Sequence, residues 1–274
     1  MARAHLLHQT LLLTAEPISR SIVRESLRET LLWLGRPFQV VRCKYGDRRV
    51  QANGLEPIDQ LQLFWDGTAE MATLELEEAG WITLYAHNRD RTPWHWMSAC
   101  VSYQKLVSHP QSEAPVHLCR RLASATSAFL VHGGLMVSAA RGGWHRGMPE
   151  YLDFGGHAIK TCPLHLFPVI SPSWLIGIGP EYRGLIGEER LAAIEPHDRF
   201  DDVEGRTWLR LVPRAEDWFG PAGVAAESRL RAALGDLDIV RDAGPHHPLR
   251  KYPRPAIDSS RLPAWPSTTV VDED

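Results

Sequence analysis

The chain has 274 residues, 44% apolar and 23% charged, a composition ordinary for a folded globular protein with one large core or two small ones. Thirty basic residues nearly cancel thirty-three acidic ones, leaving a formal charge of −3, so no basic excess points to nucleic acid. The apolar run Leu11–Leu13 is too brief to span a bilayer or to serve as a secretory core. The four cysteines, Cys43, Cys100, Cys119 and Cys162, never form a Cys-x-x-Cys pair, which fits reduced thiols in a cytoplasmic protein.

In chain order, Gln9–Thr14 reads as a first strand. Pro17 then opens a helix in which Ile18, Ile22, Val23, Leu27, Leu31 and Leu34 recur at helical spacing, and Gly35-Arg-Pro37 ends it. Phe38–Cys43 reads as a strand and Tyr45–Pro57 as a polar loop. Leu61–Trp65 is a further strand candidate. Ala72–Glu77 alternates cleanly, with Ala72, Leu74 and Leu76 on one face, and Gly80 turns it into Trp81–Ala86, a hairpin with one wet face. His95–Tyr103 adds another strand.

Ser112 is placed to cap a helix through Leu118, Leu122, Ala125 and Phe129, with Gly133-Gly134 as the stop and Leu135–Ala139 as a short strand. Arg141–Gly156 reads as an ordered loop with a helical turn near Pro149–Phe154. The apolar run Leu164–Ile170 leads to Leu175 and Ile176, and Gly177–Gly184 is rich in turn residues. A short helix over Glu188–Ile194, an acidic loop over Glu195–Glu204 and a strand over Thr207–Val212 follow. A helix runs from Pro221 to Leu234, with Ala222, Ala226, Leu230 and Leu234 at four-residue steps, and Leu237–Val240 is a last strand. Strands in runs outnumber helices, so the fold expected is α+β, mainly antiparallel sheet flanked by a few helices. One domain over 1–243 is expected, with two possible sub-lobes at about 1–110 and 111–243. Residues 244–274, dense in proline, are expected as a tail that either lies extended across the body or is partly disordered.

The search for chemistry is largely negative. None of the thirteen histidines, including His87, His95, His157, His165 and the pair His246-His247, has the tight spacing of a metal-ligand motif. Cys162 with His157 or His165 and Asp153 is the nucleophile set that proximity suggests, but proximity in sequence is no evidence of geometry, and the favoured reading is a buried thiol at the head of an apolar strand. Gly177-Ile-Gly179 and Gly142-Gly143 lack the rest of a phosphate-binding signature, and no Gly-x-Ser-x-Gly elbow occurs. Neither catalytic residues, nor a metal, nor a cofactor is assigned. The runner-up to a non-enzymatic reading is a small hydrolase dependent on Cys and His or on a metal, and a third is a secretion-system adaptor.

Two features suggest binding instead. Ten tryptophans are present; Trp33, Trp65, Trp81, Trp174 and Trp208 fall in regular elements and read as core, whereas Trp94, Trp96 and Trp144 lie in arginine-rich stretches and read either as core or as binding anchors. Glu195–Glu204 carries five acids against one arginine. Such a segment is either a solvated connection or a negative patch that steers a basic partner.

The stretch Ser171-Pro-Ser-Trp-Leu175, then Gly177-Ile-Gly-Pro-Glu-Tyr182, Leu185-Ile-Gly187, Arg190-Leu191, Gly205-Arg-Thr-Trp-Leu-Arg-Leu-Val-Pro213 and Leu234-Gly-Asp-Leu-Asp-Ile239 resembles a family of bacterial immunity proteins. These are encoded beside polymorphic toxins, including those delivered by type VI secretion. The resemblance covers about the last third of the chain before the tail, and Arg214–Gly220 departs from the family pattern. It implies a cytoplasmic antidote that occludes one cognate toxin, a nuclease in some relatives, without contacting nucleic acid or membrane. The residues expected to meet the toxin are Asp198, Asp201, Asp202, Glu204, Trp94, Trp96 and Trp144.

Overall fold

The computed structural model describes residues 5–14, 20–45, 48–51, 71–77, 80–85, 95–138, 144–145 and 173–234. Its framework is a single eleven-stranded sheet in which every pairing is antiparallel. The strands are β1 (His5–Thr14), β2 (Val40–Tyr45), β3 (Arg48–Gln51), β4 (Met71–Leu76), β5 (Gly80–Tyr85) and β6 (His95–Ser102), followed by β7 (Leu130–Ser138), β8 (Trp144–His145), β9 (Leu175–Ile178), β10 (Asp198–Asp201) and β11 (Thr207–Arg210). They lie in the order β10-β11-β9-β7-β1-β6-β5-β4-β2-β3, and β8 shares with β9 the outer side of β7. The helices are α1 (Arg20–Leu34), α2 (Tyr103–Val107), α3 (Ala114–Thr126), α4 (Pro180–Ile186), α5 (Glu188–Ala193) and α6 (Pro221–Leu234). The α+β expectation is met. One sheet draws strands from both sides of residue 110.

β1 occupies the middle, paired with β6 on one side and β7 on the other, and both of its faces are buried. That is why its sequence, His-Leu-Leu-His-Gln-Thr-Leu-Leu-Leu-Thr, shows no clean alternation of polar and apolar residues. Residues directly opposite across a ladder share a face. His8, Thr10 and Leu12 therefore lie with Leu135, Gly133 and Val131 of β7, and the same face continues through Leu175 and Gly177 of β9 to Trp208 of β11. Helix α3 covers it: Cys119 Sγ lies 3.3 Å from Thr10 Oγ1, and Arg120 stands over the ring of Phe200. On the opposite face α4 and α5 meet β11 and β10, through Arg183 to the Thr207 hydroxyl and Arg199 to the Leu191 carbonyl.

Gly133-Gly134, expected to end a helix, instead sits inside β7. The helix stops at Thr126, and the strand begins at Leu130. A Cβ at Gly133 would stand 3.1 Å from Leu175 Cβ and 3.3 Å from Cys119 Sγ, so the missing side chain is what lets α3 approach the sheet. Gly177 does the same for Trp208, whose ring atoms would lie 2.8 Å from a Cβ there.

Other expectations are met or shifted by local physics. α1 buries Leu27, Leu31 and Leu34 and ends before Gly35, as its periodicity predicts. Phe38 belongs to a 3-10 turn ahead of β2, and Arg48–Gln51, expected as loop, pairs with β2 as an edge strand. In α6 the buried stripe is Gly223, Ala226, Leu230 and Leu234, and Ala222 is exposed. A rigid four-residue step drifts off a 3.6-residue turn, and the first position moves by one. The segments Leu61–Trp65, Pro149–Phe154, Leu164–Ile170, Leu237–Val240 and 244–274 lie outside the described residues.

Candidate partner-binding site

The acidic segment expected as a loop is a β-hairpin. Asp198–Asp201 forms β10, at one end of the sheet, and a tight turn over residues 202–205 returns it to β11. Asp202 N–H donates to the Arg206 carbonyl at 2.9 Å, and Gly205 N–H donates to the Asp202 carbonyl at 3.0 Å. At the tip, Val203 is 100% exposed and flanked by two acids.

Beneath the tip lies the strongest polar cluster in the described residues. Asp202 Oδ1 accepts the backbone N–H groups of Glu204 and Arg206, both at 2.9 Å, and Oδ2 accepts from Trp208 Nε1 at 2.9 Å and Arg206 Nη1 at 3.1 Å. The Arg206 guanidinium also donates to the Ala128 carbonyl at 2.8 Å and the Ala123 carbonyl at 3.2 Å. It thereby satisfies carbonyls at the C-terminal end of α3, where a cation is favoured. Glu204 completes the cluster with Arg206 and the Ser124 hydroxyl. Burial alone would push the Asp202 carboxyl up, but the N–H donors of Trp208 and the Arg206 backbone, together with the Arg206 charge, hold it below the usual carboxylate range.

The four acids named from the sequence therefore occupy different situations. Asp202 is structural; its side chain is 7% exposed and committed to Arg206. Asp198, half open to solvent, pairs with Arg210, which also holds Glu113 at the start of α3. Asp201 is exposed and accepts from the Thr207 hydroxyl at 2.7 Å. Glu204 keeps 37% of its side chain exposed. Asp201 and Glu204 thus flank the turn that carries Val203, on a hairpin locked to α3, whereas Asp198 lies at the far end of β10 opposite Arg210 and on the other face from Asp201.

Of the tryptophans, Trp96 lies within β6, the strand expected over His95–Tyr103, opposite Leu13 and Tyr85, and Trp144 lies in β8 opposite Val137. Their side chains, and all of Trp94, fall outside the described residues. Trp174 and Trp208 are buried, as expected of core; Trp33 and Trp81 are half-buried, and Trp65 is not described. Trp33 instead builds a surface cluster that sequence spacing did not reveal. Arg121 lies over its ring, His109 packs beside it and Gln111 accepts from its Nε1, three partners brought from another part of the chain by the α1–α3 contact.

Cys162, His157, His165 and Asp153 lie outside the described residues, as do His87 and the pair His246-His247. Burial raises the thiols of Cys43, Cys100 and Cys119 to about 11, 12 and 12, far from the range of a nucleophile at neutral pH. Among the described residues no group of three His, Cys, Asp or Glu side chains is placed to hold a metal ion. No helix among them is long and apolar enough to cross a membrane. One buried group was not legible in the sequence. His8 sits between Tyr103 and Trp174 with neither ring nitrogen hydrogen-bonded among the described residues, and burial lowers it to about 3, which keeps it neutral.

No protein-family model and no curated protein matches the sequence. Among solved structures the chain is similar in fold to the Pseudomonas aeruginosa T6SS protein PA0821, with a TM-score of 0.53 and 15% identity over 84% of this chain and 73% of that one. At that identity the likeness is one of fold.

Proposed function

We propose that the chain is a cytoplasmic immunity protein that binds the toxin domain of a cognate type VI secretion effector and blocks its active site, with no turnover of its own. The observation that carries this reading is the β10–β11 hairpin. It presents Asp201 and Glu204 beside a fully exposed Val203, with Asp198 farther along β10, and Arg206 and Asp202 fix its shape before any partner arrives. A preorganised tip avoids the ordering cost that a mobile loop pays on binding. Exposed acids around an apolar centre suit a basic cleft with an apolar floor, as a nuclease would offer.

Two further points support it. The run from Ser171 to Ile239 resembles immunity proteins of polymorphic toxins, and the fold is shared with a protein described as belonging to a type VI secretion system. Co-expression tests the proposal. With the toxin domain of the effector whose gene adjoins that of this chain, growth should be restored and a complex should copurify. Continued killing at equal expression, with no complex recovered, would overturn it.

A further inference from the structure

β10 ends the sheet and, among the described residues, pairs only with β11. Asp202 N–H donates to the Arg206 carbonyl, so by alternation the N–H and C=O groups of Asp198 and Phe200 also face β11, and the outward ones are those of Arg199 and Asp201. An edge is a template for another strand, and short length and charged side chains, both present in β10, restrict that pairing to a strand whose charges match. The sequence of β10, Asp198-Arg-Phe-Asp201, is self-complementary about its third residue. If a second β10 runs antiparallel with Phe200 opposite Phe200, then Arg199 falls opposite Asp201, and Asp201 opposite Arg199. Both of these side chains are exposed, and both lie on the face that carries Thr207.

Phe200 fits the same arrangement. It is half-buried, lies nearly parallel to Trp208 with ring centroids 6.3 Å apart and sits beneath the Arg120 guanidinium. Its partner across the new ladder would continue the Trp208–Phe200 row as an aromatic cross-strand pair. This register sets Asp198 opposite Asp202, whose carboxylate is buried and neutralised by Arg206. Other registers lose the central match: setting Asp198 opposite Asp201 leaves Arg199 opposite Phe200, and setting Arg199 opposite Arg199 puts like charges together at the centre.

We propose that two copies of the chain pair through β10 about a twofold axis at Phe200, joining their sheets edge to edge. The contact is isologous, so it closes at a dimer and does not propagate. It rests on the edge and its side chains and is independent of the toxin-binding proposal. It does bury Asp201, so a partner that needs that carboxylate must compete with the second copy.

Sedimentation or light scattering of the full chain over a concentration series tests it. The wild type should weigh about twice its 30.8 kDa at high concentration and dissociate on dilution. Arg199→Asp and Asp201→Arg each turn two opposite-charge pairs into like-charge pairs and should weaken dimerisation at least about tenfold. The exchange Arg199→Asp with Asp201→Arg restores the pairing and should restore the dimer, which also shows that the single variants did not merely misfold. A wild type monomeric throughout, single variants that dimerise as the wild type does, or a double exchange that stays monomeric would each overturn the proposal.

Discussion

Replacing Arg206 should unfasten the β10–β11 hairpin from α3 and cost more stability than any exposed charge in this region. Arg206 is 4% exposed, and its guanidinium donates to four acceptors: the carbonyls of Ala123 and Ala128 and the carboxylates of Asp202 and Glu204. Removing one member of a buried ion pair costs roughly 3–5 kcal/mol, because the other charge stays buried. Here Asp202 keeps three uncharged donors, from Trp208 Nε1 and two backbone N–H groups, so much of its desolvation remains offset. The Ala123 carbonyl of α3 keeps the Ala128 N–H at 3.0 Å, whereas the Ala128 carbonyl, just past the helix end, loses the guanidinium donor. Arg206→Met, which keeps the apolar stem, should therefore cost about 3 kcal/mol, at the lower end of that range. Arg206→Lys keeps the charge but cannot span four acceptors, and should cost about 1–2 kcal/mol. Urea unfolding followed by tryptophan fluorescence gives these values directly, since Trp208 sits in the network. A cycle with Asp202→Asn should return a coupling of about 1 kcal/mol or more. If Arg206→Met lies within about 0.5 kcal/mol of the wild type, the network carries no appreciable stability and the locked hairpin is wrong.

His8 should make the protein sensitive to acid. Its folded value of about 3 lies below the ordinary 6.5, so the unfolded chain binds the extra proton first and stability falls as pH drops from 6.5 towards 3. The slope is about 1.4 kcal/mol per pH unit, or about 2 kcal/mol at pH 5, and the difference between wild type and His8→Phe in unfolding free energy against pH should show it. A flat difference curve would mean that His8 is charged or solvated in the folded protein. Gly177→Ala drives a methyl group into the Trp208 ring, 2.8 Å away, and should lower stability by about 1–3 kcal/mol in the same assay. Cys43, Cys100 and Cys119 should resist a thiol reagent in the native protein and react once it is unfolded; mass spectrometry that finds any of the three labelled at early times contradicts their burial. Asp198→Lys with Asp201→Lys should slow association with the toxin about tenfold or more at low salt and flatten its salt dependence in stopped-flow measurements. Unchanged rates would remove the acids from the steering role.

Much of the sheet was legible because its strands meet water on one side or end at glycine. Ala72–Glu77 alternates and pairs as β4 with β5, and the last helix runs from Pro221 to Leu234 as its proline and alanine spacing predicts. The errors have a common cause in contacts made far along the chain. Gly133-Gly134 is a stop signal locally, yet Cys119 and Leu175 require a surface without side chains there. Asp198–Asp201 is polar enough to read as loop, and only its place against β11 makes it a strand. Asp202 was indistinguishable from its acidic neighbours by composition. Its burial depends on Arg206, Trp208 and the end of α3 meeting at one point. Arg206 and His8 carried no spacing signal at all, because each is defined by the elements packed around it.

The claim on which the functional account turns is one-to-one masking. Titrating a fixed amount of active toxin domain with this chain, and following the residual toxin activity, tests it directly. The account predicts a linear fall that reaches zero at one chain per toxin, and reappearance of activity when the complex is dissociated. Loss of activity at a small fraction of an equivalent would reveal turnover, and full activity at excess would show that the chain does not bind the toxin; either result contradicts the account.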